Sequence, residues 1–140
     1  MENWGNHLRL ENLKFVLSIM EKSFPFSFVL DYLPAEITVK KLFGMQYIYL
    51  RRRILMILRQ SPKQPRWNGI WVATSAGHHA SLKALVPELG AFIIDGDDRH
   101  SNWLLLNEDA EDFESAAIKI CELIMHGDAR IGKLTENPPL

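Results

Sequence analysis

The sequence predicts an α+β fold: an antiparallel sheet of five or six strands with helices packed on one face. Three observations predict it. From Ile37 to Thr74, apolar runs of strand length follow one another across short turns, a connection that pairs neighbours antiparallel. No long helical pattern interrupts that succession, so the alternating strand–helix order of a dinucleotide-binding fold is excluded. The chain then closes on an amphipathic helical stretch able to cover a sheet face.

Each element follows from local pattern. Leu10, Leu13, Leu17 and Met20 recur at three- and four-residue steps and predict a helix over 8–21. Phe24-Pro25 ends it, because the residue before proline is pushed out of the helical region. A second short helix is expected over 26–33, stopped by Pro34. Ile37 to Gly44 reads as a strand, with Ile37 and Val39 alternating against Thr38 and Lys40, and Gly44 marks a bend, a bulge or a close approach. Met45 to Leu50 is a second strand. Arg51-Arg52 is the turn after it, although it lacks the Asn-Gly signature of a tight hairpin. Arg53 to Arg59 is a third strand, whose centre is apolar at every position, so both its faces are expected to be covered. After the proline-containing loop that ends at Asn68-Gly69, Ile70 to Thr74 is a fourth. A helix from 78 to about 86 is expected next, with Ser75 or Gly77 as cap. Ala91 to Ile94 and Trp103 to Leu106 form a hairpin through the turn-rich Asp95-Gly96-Asp97-Asp98. The final helix carries the stripe Phe113, Ala117, Ile120 and Ile124, starts with Asn107 or Asp109 as cap, and ends at Gly127. The tail over 130–140, with Pro138-Pro139, is expected to be loosely held.

Length and composition bound the rest. With 140 residues, 47% of them hydrophobic, the chain suits one domain that buries roughly two thirds of its unfolded surface. The one cysteine, Cys121, has no intrachain partner, there is no apolar leader in the first residues, and no stretch of membrane-spanning length occurs; a cytoplasmic location is expected. The net charge of −1 hides an asymmetry. Ile37 to Pro87 holds nine bases and no acid, whereas Glu88 to Leu140 holds twelve acids and four bases. The two halves are expected to neutralise each other in the fold or across a dimer.

Lys40-Lys41-Leu42-Phe43-Gly44-Met45, followed by Tyr47-Ile48-Tyr49 and by Ile54 to Leu58, resembles the pattern of the TfoX N-terminal domain, a small architecture akin to the YjbR-like group. The resemblance covers 26–127. It departs in Leu42, where methionine is commoner, in the extra helix 8–21 and in the loop that contains Ser61-Pro62-Lys63-Gln64-Pro65-Arg66-Trp67. It implies a bacterial protein, since that family is linked to regulation of competence for DNA uptake in some bacteria. It carries over no catalytic residue.

The chemistry-bearing candidates are few. Lys40, Lys41, Arg51, Arg52, Arg53, Arg59, Lys63 and Arg66 form a basic set suited to phosphate, with Trp67 or Tyr47 available to stack on a base; the competing reading is a solvated edge and hairpin tip. Tyr49 and Trp71 are expected to line a groove on the open sheet face. His78-His79 lacks the four-residue spacing of joint zinc ligands. Asp95 to Asp98 with His100 lacks the calcium-loop pattern and reads more simply as a turn. Cys121 reads as a buried, inert thiol, and Glu111 and Glu114 as exposed acids in an early helical turn. No cofactor or metal set is read. The leading expectation is a non-enzymatic binding or regulatory module that acts through protein–protein contacts, as a homodimer with an unidentified protein partner and no membrane contact. The alternative is nucleic-acid binding through the basic 40–66 stretch. The third is a small-molecule or metal-dependent enzyme using His78, His79 and Asp95 to Asp98.

Overall fold

Alternation along the strands divides the apolar residues between two sheet faces, and each face has its own cluster. The computed structural model describes residues 24–92, 94, 97 and 99–136. The helix expected over 8–21, the residues Asp95, Gly96 and Asp98, and Pro138-Pro139 lie outside the described residues. Strands β1 (Ile37–Leu42), β2 (Met45–Leu50), β3 (Arg53–Arg59), β4 (Gly69–Val72), β5 (Leu89–Ala91), β6 (Leu104–Asn107) and β7 (Lys133–Leu134) form one antiparallel sheet. Its order is β1-β2-β3-β4-β6-β5, with β7 paired to β3 off that path. Among the described residues two helices, α1 (His79–Leu85) and α2 (Phe113–Met125), complete it with short 3-10 turns at Ser27–Tyr32, Pro65–Trp67 and Ala76–His78.

Helices cover one face, as the sequence predicts. Ile48, Met56, Leu58, Ile70, Val72, Leu104 and Leu106 pack there against Val29 and Leu33, Leu82 and Val86, and Ala117, Ile120, Cys121 and Ile124 of α2. Each fully buried aliphatic side chain of this kind contributes about 1.5–3 kcal/mol. The opposite face carries Tyr47, Tyr49, Ile54, Ile57, Trp71 and Leu105, covered in part by Trp67, Phe92 and Trp103. The apolar centre of β3 serves both sides, with Ile54 and Ile57 in one cluster and Leu55, Met56 and Leu58 in the other. A bulge makes that count possible: Tyr49 pairs with Ile54 and Ile48 with Met56, so Leu55 is the extra residue.

Several boundaries differ from expectation. The stretch 26–33 is a 3-10 helix over Ser27–Tyr32, kept to six residues between Pro25 and Pro34. The fifth strand is Leu89–Ala91 rather than Ala91 to Ile94, because buried Leu89 pairs with Leu106 on the helix side. β5 and β6 pair antiparallel, as the expected hairpin requires, and Phe92, Ile94 and Trp103 between them join the opposite cluster. β4 starts at Gly69, whose φ is 137° and where a Cβ would meet the Leu106 carbonyl oxygen at 2.1 Å. No other residue fits that close approach. The N-cap of α2 is Asp112, without a side-chain cap bond. Asn107 instead accepts from the Asp109 amide at 2.8 Å and donates to the Arg66 carbonyl at 2.8 Å, so it ties two loops. Gly127 does end α2, at φ 74°. Its N–H donates to the Ile124 carbonyl at 2.9 Å and that of Asp128 to Leu123 at 3.0 Å, a Schellman closure.

The expectation of a loose tail from Arg130 fails for residues 130–135. Thr74 Oγ1 donates to the Arg130 carbonyl at 2.7 Å, Ile131 is 4% exposed, and the Gly132 amide donates to Ala73 at 2.8 Å. β7 then adds to the free edge that β3 offers beyond β4, and the Thr135 amide donates to Arg52 at 3.0 Å. A buried isoleucine, two backbone bonds and the Thr74 hydroxyl bond offset the entropy of ordering this segment.

Candidate functional site

The eight residues of the basic set do not share one face. Lys40 and Lys41 are neighbours in β1, so they point to opposite sides of the sheet. Arg51 and Arg52 form the β2–β3 turn, exposed, with Arg51 at φ 57°. Arg53 donates from Nη2 to the Gly132 carbonyl at 2.8 Å and anchors the tail. Arg59 closes the other end of β3, roughly 20 Å from Arg53 at strand spacing, and Lys63 and Arg66 follow in the loop after it. Arg59 is a structural residue: its guanidinium donates to Asn68 Oδ1 at 2.6 Å, to the Lys63 carbonyl at 2.6 Å and to the Gln64 carbonyl at 3.1 Å. Burial pulls its pKa below the ordinary arginine value, and the nearby Glu108 charge opposes that. Arg66 lies over the Trp67 ring, 5.0 Å from its centroid. Among the described acids of the C-terminal half, Glu108 faces Arg59 of this set, while Asp97 and Asp128 are engaged by His100 and Arg130 of their own half.

A cleft of about 720 Å³ opens instead on the sheet face away from the helices. Its floor is Tyr47, Tyr49 and Ile54, residues that alternation and the β3 bulge turn to the same side. Lys40 and Leu42 of β1 form one wall, and Lys133 to Glu136 form a second. Arg99, His100 and Trp103 form a third. Phe43 and Leu134 stand on the rim, 78% and 75% exposed, the two most exposed of the large apolar side chains among the described residues. Burial pushes the hydroxyls of Tyr47 and Tyr49 above the ordinary tyrosine value; at Tyr47 the Tyr49 hydroxyl adds to this and Arg99 opposes it.

His100 is held in one orientation from several sides. Its Nδ1 donates to Asp97 Oδ2 at 2.7 Å, and its ring meets Trp71 and Trp103 edge-on at centroid distances of 5.1 and 4.7 Å. Asp97 Oδ1 also accepts the backbone N–H groups of Arg99 at 3.0 Å and His100 at 3.3 Å. Burial alone would raise the Asp97 pKa, but the hydrogen bonds and charge of His100, with the Arg99 amide, outweigh it and hold the carboxyl below its ordinary value. Because Nδ1–H is committed to Asp97, the neutral ring presents Nε2 as an acceptor. That atom has no hydrogen-bond partner among the described residues.

The expected pair Tyr49 and Trp71 is therefore split. Tyr49 lines the cleft, whereas Trp71 is 3% exposed, donates from Nε1 to the Trp67 carbonyl at 2.8 Å, and lies beneath Phe92 and His100. Of the basic set only Lys40 reaches the cleft. Lys133 and Arg99 are lining residues that sequence reasoning missed, since nothing local marks Lys133 as a strand beside β3; Trp103, an aromatic the sequence offers for a groove or for the core, does line the cleft. Trp103 brings a buried indole Nε1 without a hydrogen-bond partner among the described residues.

The remaining candidates are occupied or inert. His79 Nε2 donates to the Asn102 carbonyl at 2.5 Å and so joins α1 to the segment before β6; His78 is exposed. Among the described residues, no three His, Cys, Asp or Glu side chains are placed to hold a metal ion. Cys121 is buried with Sγ 3.8 Å from the Val29 carbonyl, and burial pushes its thiol up to about 12. Glu111 and Glu114 line only a shallow surface recess at the start of α2. No helix among the described residues is long and apolar enough to cross a membrane. No protein-family model, curated protein or solved structure matches this chain.

Proposed function

We propose that the chain is a non-enzymatic binding or regulatory module whose binding site is the cleft over Tyr47 and Tyr49. One observation carries this reading: an aromatic floor, a fixed imidazole and three cations, Lys40, Arg99 and Lys133, converge on one concavity. Its volume falls in the range of small-molecule sites, roughly 300–1,000 Å³. Polar groups around an apolar floor orient a ligand, while the floor supplies desolvation energy. The nucleic-acid alternative is less well supported, because its cations are divided between faces and ends of the sheet and Arg59 is spent on its own loop. A role resembling that of the TfoX N-terminal domain stays within this proposal, supported by motif and element order. So does self-association, for which Phe43 and Leu134 offer apolar contact at the rim.

The test is a fragment titration followed by backbone and indole amide resonances of the full chain, with sedimentation on the same sample. Binding is expected to shift Tyr47, Tyr49, His100 and the Trp103 indole together. Shifts confined to Arg51, Arg52 and Lys63 on adding short DNA, strongest at low salt, would overturn the reading in favour of nucleic acid.

A further inference from the structure

We propose, resting on the assignment of the cleft as the binding site, that its ligand is a small planar acid that also carries a hydrogen-bond donor. Each part of that description answers a group in the cleft. The planar part answers Tyr47, Tyr49 and Trp103, whose rings give a flat ligand area at small cost in side-chain entropy.

The anionic part answers Lys40, Arg99 and Lys133. Against these three cations the lining holds one carboxylate among the described residues, Glu136; Asp97, whose charge reaches Tyr47, already accepts hydrogen bonds on both oxygens. A neutral ligand would leave the cations unanswered, and a cationic one would be repelled by them.

The donor answers His100 Nε2. His100 lines the cleft, Asp97 takes its Nδ1 proton, and Trp71 and Trp103 meet the ring edge-on, so the ring is held in place and Nε2, without a partner among the described residues, accepts and in the neutral ring cannot donate. A site built to accept a proton donor discriminates against an analogue that lacks one, because the acceptor is then left unmet. Nothing covalent is required: the contact is a hydrogen bond from ligand to imidazole.

Three probes separate these parts: 4-hydroxybenzoate, benzoate and 4-hydroxybenzamide, titrated into the full chain at pH 8, where imidazole is ordinarily neutral. The amide resonances report which residues each probe touches. The expected order is 4-hydroxybenzoate tightest, benzoate roughly fivefold weaker for want of one net hydrogen bond, and the amide weaker than its acid. His100→Phe keeps an aromatic ring between Trp71 and Trp103 and is expected to bring 4-hydroxybenzoate down to benzoate. Lys40→Ala and Lys133→Ala, at a surface strand and a two-residue strand, are expected to weaken both acids about threefold each and leave the amide unchanged. Equal binding of the two acids, or a preference that survives His100→Phe, overturns the donor part. If the amide binds as well as the acid, the anionic part fails. Amide binding in the cleft with no acid binding sinks this proposal and leaves the cleft reading standing; no shift in the cleft with any probe sinks both.

Discussion

Asp128 is held by a residue two positions along. Arg130 donates to Asp128 Oδ1 from its backbone N and from Nε, both at 2.9 Å, and to Oδ2 from Nη2 at 2.5 Å. These hydrogen bonds, against some desolvation and with help from the Arg130 and His78 charges, lower the Asp128 pKa to about 2. A folded-state pKa below the unfolded one stabilises the protein above the unfolded value, and that contribution is lost as pH falls. The stabilisation is therefore expected to decline between about 3.8 and about 2, and Asp128→Asn to remove that part of the acid dependence in denaturant titrations run across the window. A stability profile unchanged by the substitution would refute this. Other residues were readable to different depths. The same-side placement of Tyr47 and Tyr49 follows from period-two alternation alone. Trp71 shares their side too, but its burial depends on Phe92 and His100, which arrive from a connection whose path no local pattern dictates.

At the level of elements, strands β1 to β3 and helix α2 were legible because their signals are local: alternation, a punctuating glycine, an apolar stripe. The β1–β2 turn is a two-residue connection between Leu42 and Met45. Phe43 and Gly44 have φ values of 53° and 76°, the paired positive values of a type I′ turn. A Cβ on Gly44 would meet nothing within 4 Å, so the glycine is required by conformation and not by space. Position 43 would suit asparagine, and an exposed phenylalanine there costs stability with no burial in return. Phe43 stands on the rim of the cleft, where the proposed binding role would use its exposed ring. Phe43→Asn is expected to raise stability by about 1 kcal/mol, visible as roughly 3 °C in Tm, while weakening cleft binding in the fragment titration. A lower Tm would show that Phe43 supports the fold instead. Element boundaries were less legible where long-range partners decide them, as at Leu89 opposite Leu106 and at β7, which exists only because β3 has an unpaired edge.

For the whole molecule, the α+β class and the antiparallel sheet followed from element order, but the cleft did not. Its walls come from β1, from the segment before β6 and from the last strand, so it exists only once distant parts of the chain have met. The charge asymmetry was visible at once, yet the fold does not turn the nine-base stretch into one positive face; it sends Lys40 to the cleft and uses Arg53 and Arg59 as internal fasteners. Those two fasteners differ in what they close. Arg59 secures a loop between neighbouring strands, whereas Arg53 secures the tail across 79 positions of sequence.

β7 has two residues and two partners on β3, which places it at the low end of local stability. Its amides are therefore expected to exchange with solvent faster than those of β3 or β4 under native conditions, and to slow when a ligand fills the cleft. Equal protection with and without ligand would mean that the wall is already rigid. If it yields first, the pairing of β7 becomes a latch: a bound molecule leaves when two residues peel away, and the time it stays is set at the edge of the sheet, remote from the aromatic floor that recognises it.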